Sequence, residues 1–174
     1  AGLNAPKGMA IDSSAHLLYV ADASNNRVLG FDISSLTTGG PAGIVIGQPD
    51  MNSNRCNQGG TASATTLCGP RGVAVDIAGN LYVADSTNNR VLEYDAPITT
   101  GMAATKVFGQ TLFTTTTGCT GSPTAATLCL PVGIAVDSAV NLYVADTNDQ
   151  RVLAYAAPLT TPGMTATTVF GQAN

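Results

Sequence analysis

Few side chains in this sequence are suited to binding a metal or transferring a proton. There is one histidine, His16, and one glutamate, Glu93. The other candidates are carboxylates at the ends of three similar apolar segments, Asp12, Asp76 and Asp137. If the three segments surround a central channel, these oxygens could bind Ca²⁺ at its mouth. The favoured interpretation is plainer. We expect His16 to be exposed in a turn, Glu93 to be a solvated edge charge, and the three aspartates to cap the turns that follow them.

Sequence signatures of catalysis are missing. The chain has no Gly-x-Ser-x-Gly nucleophile elbow, no glycine-rich phosphate loop and no cysteine–histidine pair. The sequence therefore predicts no catalytic residue, no bound metal and no cofactor.

The four cysteines form two pairs at matching positions. Cys56 and Cys68 come before Gly-Pro-Arg-Gly, and Cys119 and Cys129 come before Leu-Pro-Val-Gly. Three connectivities are possible, and pairing within each loop is favoured because both loops then follow one short-range rule. The long spacings and the lack of a nearby histidine argue against zinc. Two disulfides indicate an oxidising compartment, so we expect a secreted or cell-surface protein.

These residues sit in a unit that occurs three times. Each copy contains Leu-Tyr-Val-Ala-Asp, a polar turn and Arg-Val-Leu, with arginines 63 and 61 residues apart at Arg27, Arg90 and Arg151. Such a period is typical of propellers and solenoids. Each unit has four apolar segments separated by turn residues, which predicts four strands. In the turn between the first and second segments of a unit, Val140 of the third copy stands where the second copy has Gly79. Val140 is therefore predicted to be strained.

The segments are apolar on both faces, so each unit must be covered on both sides. Four antiparallel strands between similar neighbours describe a propeller blade. A stacked solenoid is the alternative, and it is disfavoured because two long loops both join the fourth strand of one unit to the first strand of the next. We predict one domain, 1–174, with these parts: blades at about 3–47, 67–109 and 128–171, and disulfide loops at 48–66 and 110–127.

Composition limits the partners. Only 10% of the residues are charged and the net charge is -4, against about 25% charged residues in ordinary soluble domains. The seven basic residues are scattered, so we expect no nucleic-acid partner. No apolar run is long enough for a membrane span. Threonine-rich segments beside proline, alanine and glycine are compatible with O-glycosylation or a self-associating surface, and equally with the ordinary use of threonine in strands and loops. No signal peptide is evident, so we expect a mature or trimmed form.

The repeated pattern resembles a known family. Pro-x-Gly-(Val/Ile)-Ala-Val-Asp, followed by Asn-Leu-Tyr-Val-Ala-Asp-x-x-Asn-x-Arg-Val-Leu, is similar to the NHL repeat of secreted bacterial proteins, and the likeness covers nearly the whole chain outside the long loops. It implies an all-β, six-bladed propeller, of which this chain supplies three four-stranded antiparallel blades. It also implies that the acid and base of each turn pair as scaffold: Asp22 with Arg27, Asp85 with Arg90, and Asp146 with Arg151.

The resemblance leaves three functions open. Some NHL-type propellers are lyases and related folds are lactonases with a channel metal, so a lyase or hydrolase is one alternative. We favour a non-enzymatic secreted module that binds or assembles through its blade faces and loops. The disulfide loops and the Asp–Arg turns are expected on one face, where a protein or glycan would bind. A structural subunit of an extracellular or cell-surface assembly is the other alternative.

Ring closure gives a further expectation. Propellers have about four to eight blades, and three blades do not complete a ring. Two copies related by a twofold axis would supply six. Residues 170–174 of one copy followed by 1–6 of the other would form a shortened connection between blades. We therefore expect a homodimer, with a longer propeller or an open series of copies as alternatives.

Overall fold

The computed structural model describes residues 2–35 and 37–172. The expected connection between the chain ends therefore lies partly outside the described residues, at Ala1, Ala173 and Asn174. The strands are β1 Pro6–Asp12, β2 Leu17–Asp22, β3 Arg27–Asp32, β4 Ile44–Ile46, β5 Pro70–Val75, β6 Leu81–Asp85, β7 Arg90–Tyr94, β8 Lys106–Phe108, β9 Pro131–Val136, β10 Leu142–Asp146, β11 Arg151–Tyr155 and β12 Thr168–Phe170.

The twelve strands form three antiparallel sheets of four, in the orders β1-β2-β3-β4, β5-β6-β7-β8 and β9-β10-β11-β12. The matching repeats give matching registers, with Asp22 opposite Arg27 and Asp85 opposite Arg90. We call the sheets blades 1, 2 and 3. The all-β, four-stranded antiparallel prediction is confirmed.

The helical elements among the described residues are short turns. Three of them join the second and third strands of the blades, and the fourth lies in the first disulfide loop: Ala23–Asn25, Ser86–Asn88, Thr147–Asp149 and Cys56–Gly59. Among residues 2–35 and 37–172, none of the helices has the length and apolarity needed to cross a membrane.

The blades pack face to face through two apolar clusters. The first joins blade 1 to blade 2, with Tyr19 and Ile46 against Leu81 and Tyr94. The second joins blade 2 to blade 3, where the Phe108 ring contacts the Tyr155 ring edge-on at a centroid distance of 5.2 Å. Alternate side chains of blade 2 enter the two clusters, as the twofold period of a strand requires. This explains why the strands are apolar on both faces.

The turn between the first two strands of a blade requires a left-handed backbone. Gly79 has φ 85° there, and the matching residue of blade 3, Val140, has φ 65°. A β-branched residue is strained in this region, as predicted for Val140. Blade 1 has one more residue in this turn, and His16 takes the left-handed position with φ 55°.

The prediction for Glu93 is wrong. We expected a solvated edge charge, but Glu93 is 2% exposed and its Oε1 accepts a hydrogen bond from Lys106 Nζ at 2.6 Å. The two residues face each other across β7 and β8. Burial raises the pKa of Glu93, and the hydrogen bond and charge of Lys106 oppose that rise. The partner could not be assigned from sequence because the pair depends on strand register.

We predict that Lys106→Met destabilises the fold in a pH-dependent way. Glu93 would stay buried without its cation, so the free energy of unfolding should fall by about 2 kcal/mol at pH 7, less than for a fully buried pair because Lys106 is partly solvated. Since the pKa of Glu93 is raised in the fold, the deficit should shrink as the pH falls toward 4 and the carboxyl is protonated. Urea denaturation at both pH values measures it.

The control is the double variant Lys106→Met with Glu93→Gln, which has no carboxylate at this position, so its deficit should not shrink as the pH falls. An equal deficit of the single variant at pH 7 and pH 4 would contradict the assignment.

Candidate interaction site

Each blade holds one buried ion pair at the turn between its second and third strands. The arginine Nε lies 2.7 to 2.8 Å from the aspartate Oδ2 in all three pairs. All six side chains are buried. The structure thus brings together the residues that the NHL resemblance assigned: Asp22 with Arg27, Asp85 with Arg90, and Asp146 with Arg151.

The second oxygen of each aspartate holds the chain that enters the blade. Asp85 Oδ1 accepts the backbone N–H of Cys68 at 2.7 Å, and Asp146 Oδ1 accepts that of Cys129 at 2.6 Å. In blade 1 the matching donor is Asn4. Each aspartate therefore fixes a cysteine, or its counterpart, beside the start of the first strand of its blade. We call the first strand of a blade its inner strand, because the first strands of neighbouring blades contact each other, and the fourth its outer strand.

Arg90 reaches into two long segments at once. The Nη2 group of Arg90 donates to the carbonyl oxygens of Ser63 and Thr66, both at 2.9 Å, and its Nη1 group donates to Phe113 O. Ser63 and Thr66 precede blade 2, whereas Phe113 follows it. The planar guanidinium provides five donors in a fixed arrangement, so one buried side chain orders the loops on both sides of its blade.

Burial and hydrogen bonding oppose each other at these carboxylates. Burial raises the pKa of Asp85 above its usual range. The charge of Arg90 and the hydrogen bonds from Cys68 and Asn88 act in the opposite direction and only partly offset this rise. At Asp146 burial likewise raises the pKa, against the hydrogen bonds from Cys129 and Arg151. Protein groups rather than water stabilise the charge, so removal of the arginine leaves a poorly compensated buried anion.

One glutamine in each internal junction completes the framework. Gln48 Nε2 donates to Asn26 O and Arg55 O, and Gln110 Nε2 donates to Asn89 O at 2.9 Å and to Thr117 O. Sequence reasoning missed these glutamines. Their signal is the dipeptide Gly-Gln, which follows the fourth strand in every copy: Gly47–Gln48, Gly109–Gln110 and Gly171–Gln172.

Both disulfides close the loops in which their first cysteines lie. Cys56 is joined to Cys68, and Cys119 to Cys129. Cys68 and Cys129 are buried beside the inner strands, whereas Cys56 and Cys119 are exposed. Each bridge thus fastens an exposed loop to the buried edge of a blade.

The loops and the turns share one face of the molecule, which we call the loop face and define by loops 47–69 and 109–130 with the three Asp–Arg turns. The side chains of Asn57 and Asn88 exchange two hydrogen bonds across it, at 3.1 and 2.8 Å. A polar groove of about 270 Å³ opens there between Asn52, Arg55 and Gln58. The arrangement places fixed donors and acceptors at the surface.

The opposite face carries the three aspartates considered as calcium ligands. Asp12, Asp76 and Asp137 line one groove of about 420 Å³, yet each accepts hydrogen bonds from its own turn. At Asp137 the side chain and backbone of Asn141 hold the pKa of the carboxyl below its usual range. These aspartates act as turn caps, and His16 is exposed in its turn.

For Asp12, burial alone would raise the pKa of the carboxyl, but hydrogen bonds from Ser14 and Ala15 outweigh it and hold this pKa low. Within the described part of the chain, no group of three His, Cys, Asp or Glu side chains is placed to hold a metal ion.

Comparison with protein families matches this architecture. The family model described as Teneurin NHL domain covers residues 9–119, more than half of the chain. The chain belongs to the NHL-repeat family. A second model, NHL repeat, covers residues 128–155 in blade 3. The resemblance seen in the sequence is thereby confirmed. The first two Asp–Arg turns of this NHL protein lie within the first match, and the third lies within the second.

Two curated relatives show the same region inside much longer proteins. The chain is 27% identical over 150 residues to Protein SUPPRESSOR OF QUENCHING 1, chloroplastic, of Arabidopsis thaliana, covering 84% of this chain and 13% of that protein. It is 29% identical over 149 residues to human Teneurin-1, covering 80% and 5%. The NHL chain therefore spans a small part of these relatives.

Among solved structures, Kuenenia stuttgartiensis hydrazine synthase matches with a TM-score of 0.60 at 14% identity, covering 98% of this chain and 38% of that one. At this identity the likeness shows the fold alone.

We predict that Arg90→Ala lowers the free energy of unfolding by about 3 kcal/mol, because Asp85 loses its cation inside the protein and three loop carbonyls lose their donor. Asp85 keeps the Cys68 and Asn88 hydrogen bonds, which limits the loss. Arg71→Ala is the control, since Arg71 is exposed, and should change stability by less than about 0.5 kcal/mol. Equal melting temperatures for both variants would contradict the scaffold role.

Replacing Cys119 and Cys129 together by serine should lower the free energy of unfolding by about 3 kcal/mol, because the unfolded loop regains its freedom. The far-ultraviolet circular dichroism should be unchanged, since the sheets do not depend on the bridge. Ser122→Ala in the same loop is the control. Full stability of the double serine variant would show that other contacts already order this loop.

Proposed function

We propose that this chain is a non-enzymatic extracellular module that binds another protein through its loop face and associates through its blade faces. One observation supports the proposal: two disulfide-closed loops and three turns lie on one face, and buried Asp–Arg pairs hold them in place. Loops held on a rigid scaffold are the usual site of recognition. A preordered surface also loses little entropy on binding.

The chemistry of the face favours a protein partner. Exposed amides, hydroxyl groups and backbone carbonyls predominate, with few charges, as in the groove between Asn52 and Arg55. Apolar side chains are interspersed, including the exposed Leu112. Interfaces with folded proteins combine such groups. The Teneurin match supports an interaction module, and a glycan ligand is the other outcome of the test below.

An extracellular location is supported by the disulfides. Both bridges have one exposed cysteine, Cys56 or Cys119, which a reducing cytosol could reach. The name of the Arabidopsis relative places that protein in the chloroplast, so the proposal for this chain depends on its own cysteines.

The absence of enzymatic activity is supported by the engagement of the polar side chains. Asp12, Asp76 and Asp137 cap turns, Glu93 pairs with Lys106, and the three buried arginines hold loops. Repetition supports the same view, because a catalytic group is normally needed once while the Asp–Arg pair recurs in every blade.

We predict that the binding partner contacts the loop face. Wild-type protein is cross-linked in the extracellular fraction of its source cells, the cross-linked protein is identified and purified, and its dissociation constant is measured. Asn52→Arg places a bulky charge in the loop-face groove and should weaken binding at least 10-fold. Ser138→Arg, the matched control at an exposed position on the opposite face, should bind like wild type.

Equal loss with both variants, or loss only with Ser138→Arg, would contradict the proposed face. Retention on a glycan array, abolished by Asn52→Arg and without a protein partner, would replace the protein ligand by a saccharide.

A further inference from the structure

The end blades each have one side that packs on no other blade among the described residues. Blade 2 is covered by blade 1 on one side and by blade 3 on the other. We call the open side of blade 1 the head face, defined by Leu3, Ala5, Lys7 and Met9. The open side of blade 3 is the tail face, defined by Gly133, Gln150, Phe170 and Gly171. The two internal junctions show which contacts the open faces leave half-made.

The first contact places a leucine on a glycine. The leucine before the inner strand of one blade lies on the glycine that follows the outer strand of the preceding blade: Leu67 on Gly47, and Leu128 on Gly109. A Cβ atom on these glycines would lie 2.6 or 2.5 Å from the leucine side chain, and both leucines are 0% exposed. The head-face counterpart, Leu3, is 46% exposed, and Gly171 is its tail-face glycine.

The second contact brings two inner strands together at the axis. At two glycines of the pattern Pro-x-Gly, an added Cβ atom would clash with a backbone carbonyl of the next inner strand: Arg71 O for Gly8, and Val132 O for Gly72. On the tail-face glycine, Gly133, an added Cβ atom would have only Ala145 of its own blade within 4 Å. The matching carbonyl belongs to Lys7 on the head face.

The third contact is a hydrogen bond between a turn and the next blade. A left-handed turn residue accepts, through its side chain, a backbone N–H just before the next inner strand: Asn26 Oδ1 from Gly69 at 2.8 Å, and Asn89 Oδ1 from Leu130 at 2.9 Å. The tail face has Gln150 at this place with φ 54°, and the head face has Ala5 with φ 50°. Both keep the backbone conformation of their counterparts, and glutamine retains the side-chain acceptor.

Apolar exposure follows the same rule. Phe108 is 0% exposed inside a junction, whereas its tail-face counterpart Phe170 is 51% exposed. Val73 is 6% exposed, whereas its head-face counterpart Met9 is 68% exposed. Side chains that the internal junctions bury are thus left in water at both ends, which is costly unless they are covered.

The tail face has a groove at the position where, by analogy with the internal junctions, the head face of another blade would pack. A groove of about 380 Å³ is lined by Thr147, Gln150, Arg151, Val152, Phe170 and Gly171. In blade 2 the serine that corresponds to Thr147, Ser86, donates its hydroxyl to Pro131 O of the next blade. Thr147 keeps a hydroxyl at this position for Pro6 of an incoming head face.

We infer that the tail face binds the head face of a second copy of this chain, and that two copies close head to tail into a dimer of six blades. The inference rests on the blade-face association in the proposed function and adds the partner and its register: Leu3 on Gly171, Lys7 O against Gly133, and Ala5 N–H to Gln150. Six blades lie within the range in which propellers close. Closure leaves no open blade face and gives two equivalent junctions.

Light scattering with size exclusion tests the stoichiometry. At tens of micromolar the wild-type protein should have twice the 17.5 kDa chain mass. Leu3→Glu and Phe170→Glu should each raise the dimer dissociation constant roughly 100-fold, as expected when a buried anchor is lost. Both residues are exposed in the single chain, so folding should be retained by circular dichroism. Ile77→Glu, at a turn residue that is 76% exposed and lies outside the loop face, is the matched control and should stay dimeric.

Mixing the two variants tests the direction of the contact. A head-to-tail pair of Leu3→Glu with Phe170→Glu has one junction with both mutations and one junction with none. The mixture should therefore form a heterodimer at concentrations where each variant alone is monomeric. No association on mixing would overturn the head-to-tail register.

Two other results would overturn the inference. A folded 17.5 kDa wild-type monomer would assign the open faces to further blades of a longer polypeptide, and a ladder of larger species would exclude closure at two copies. Neither result bears on the loop face, because partner binding is measured with Asn52→Arg and Ser138→Arg. Loss of the dimer and loss of partner binding are thus separate outcomes.

Discussion

The buried Asp–Arg pair is the interaction on which the rest of the structure depends. In blade 2 the Asp85 carboxylate contacts Arg90, Asn88 and the backbone of Cys68, and the Arg90 guanidinium contacts loop carbonyls on both sides of the blade. A buried charge must be satisfied by fixed groups, so these segments order together. The same chemistry recurs in all three blades, which gives the loop face one regular foundation.

Fold prediction succeeded where the determinant is local and repeated. Leu-Tyr-Val-Ala-Asp and Arg-Val-Leu carry their strand and turn information within a few residues, so the strand positions follow from the sequence. The left-handed turn at Val140 was also predictable, because its counterpart is a glycine. Side-chain partners across strands are different: Glu93 meets Lys106 only because β7 and β8 pair in a particular register.

The junctions between blades show the same limit. The contact of Gly8 with the Arg71 carbonyl joins residues far apart in the chain, and nothing local in the sequence specifies it. Likewise, Gln48 holds a loop only because the packed blades bring Asn26 and Arg55 to its amide. The repetition of Gly-Gln marks the position, but its role requires the assembled blades.

The buried Asp85–Arg90 pair orders the loops on both sides of blade 2, and native-state hydrogen exchange tests this link most directly. In Arg90→Ala, amides of residues 57–66 before blade 2 and of residues 111–117 after it should lose protection together, since Arg90 binds both segments. Residues 2–5, held by Asp22 and Arg27, should keep theirs. Loss of protection confined to the turn at residues 86–90 would contradict the account.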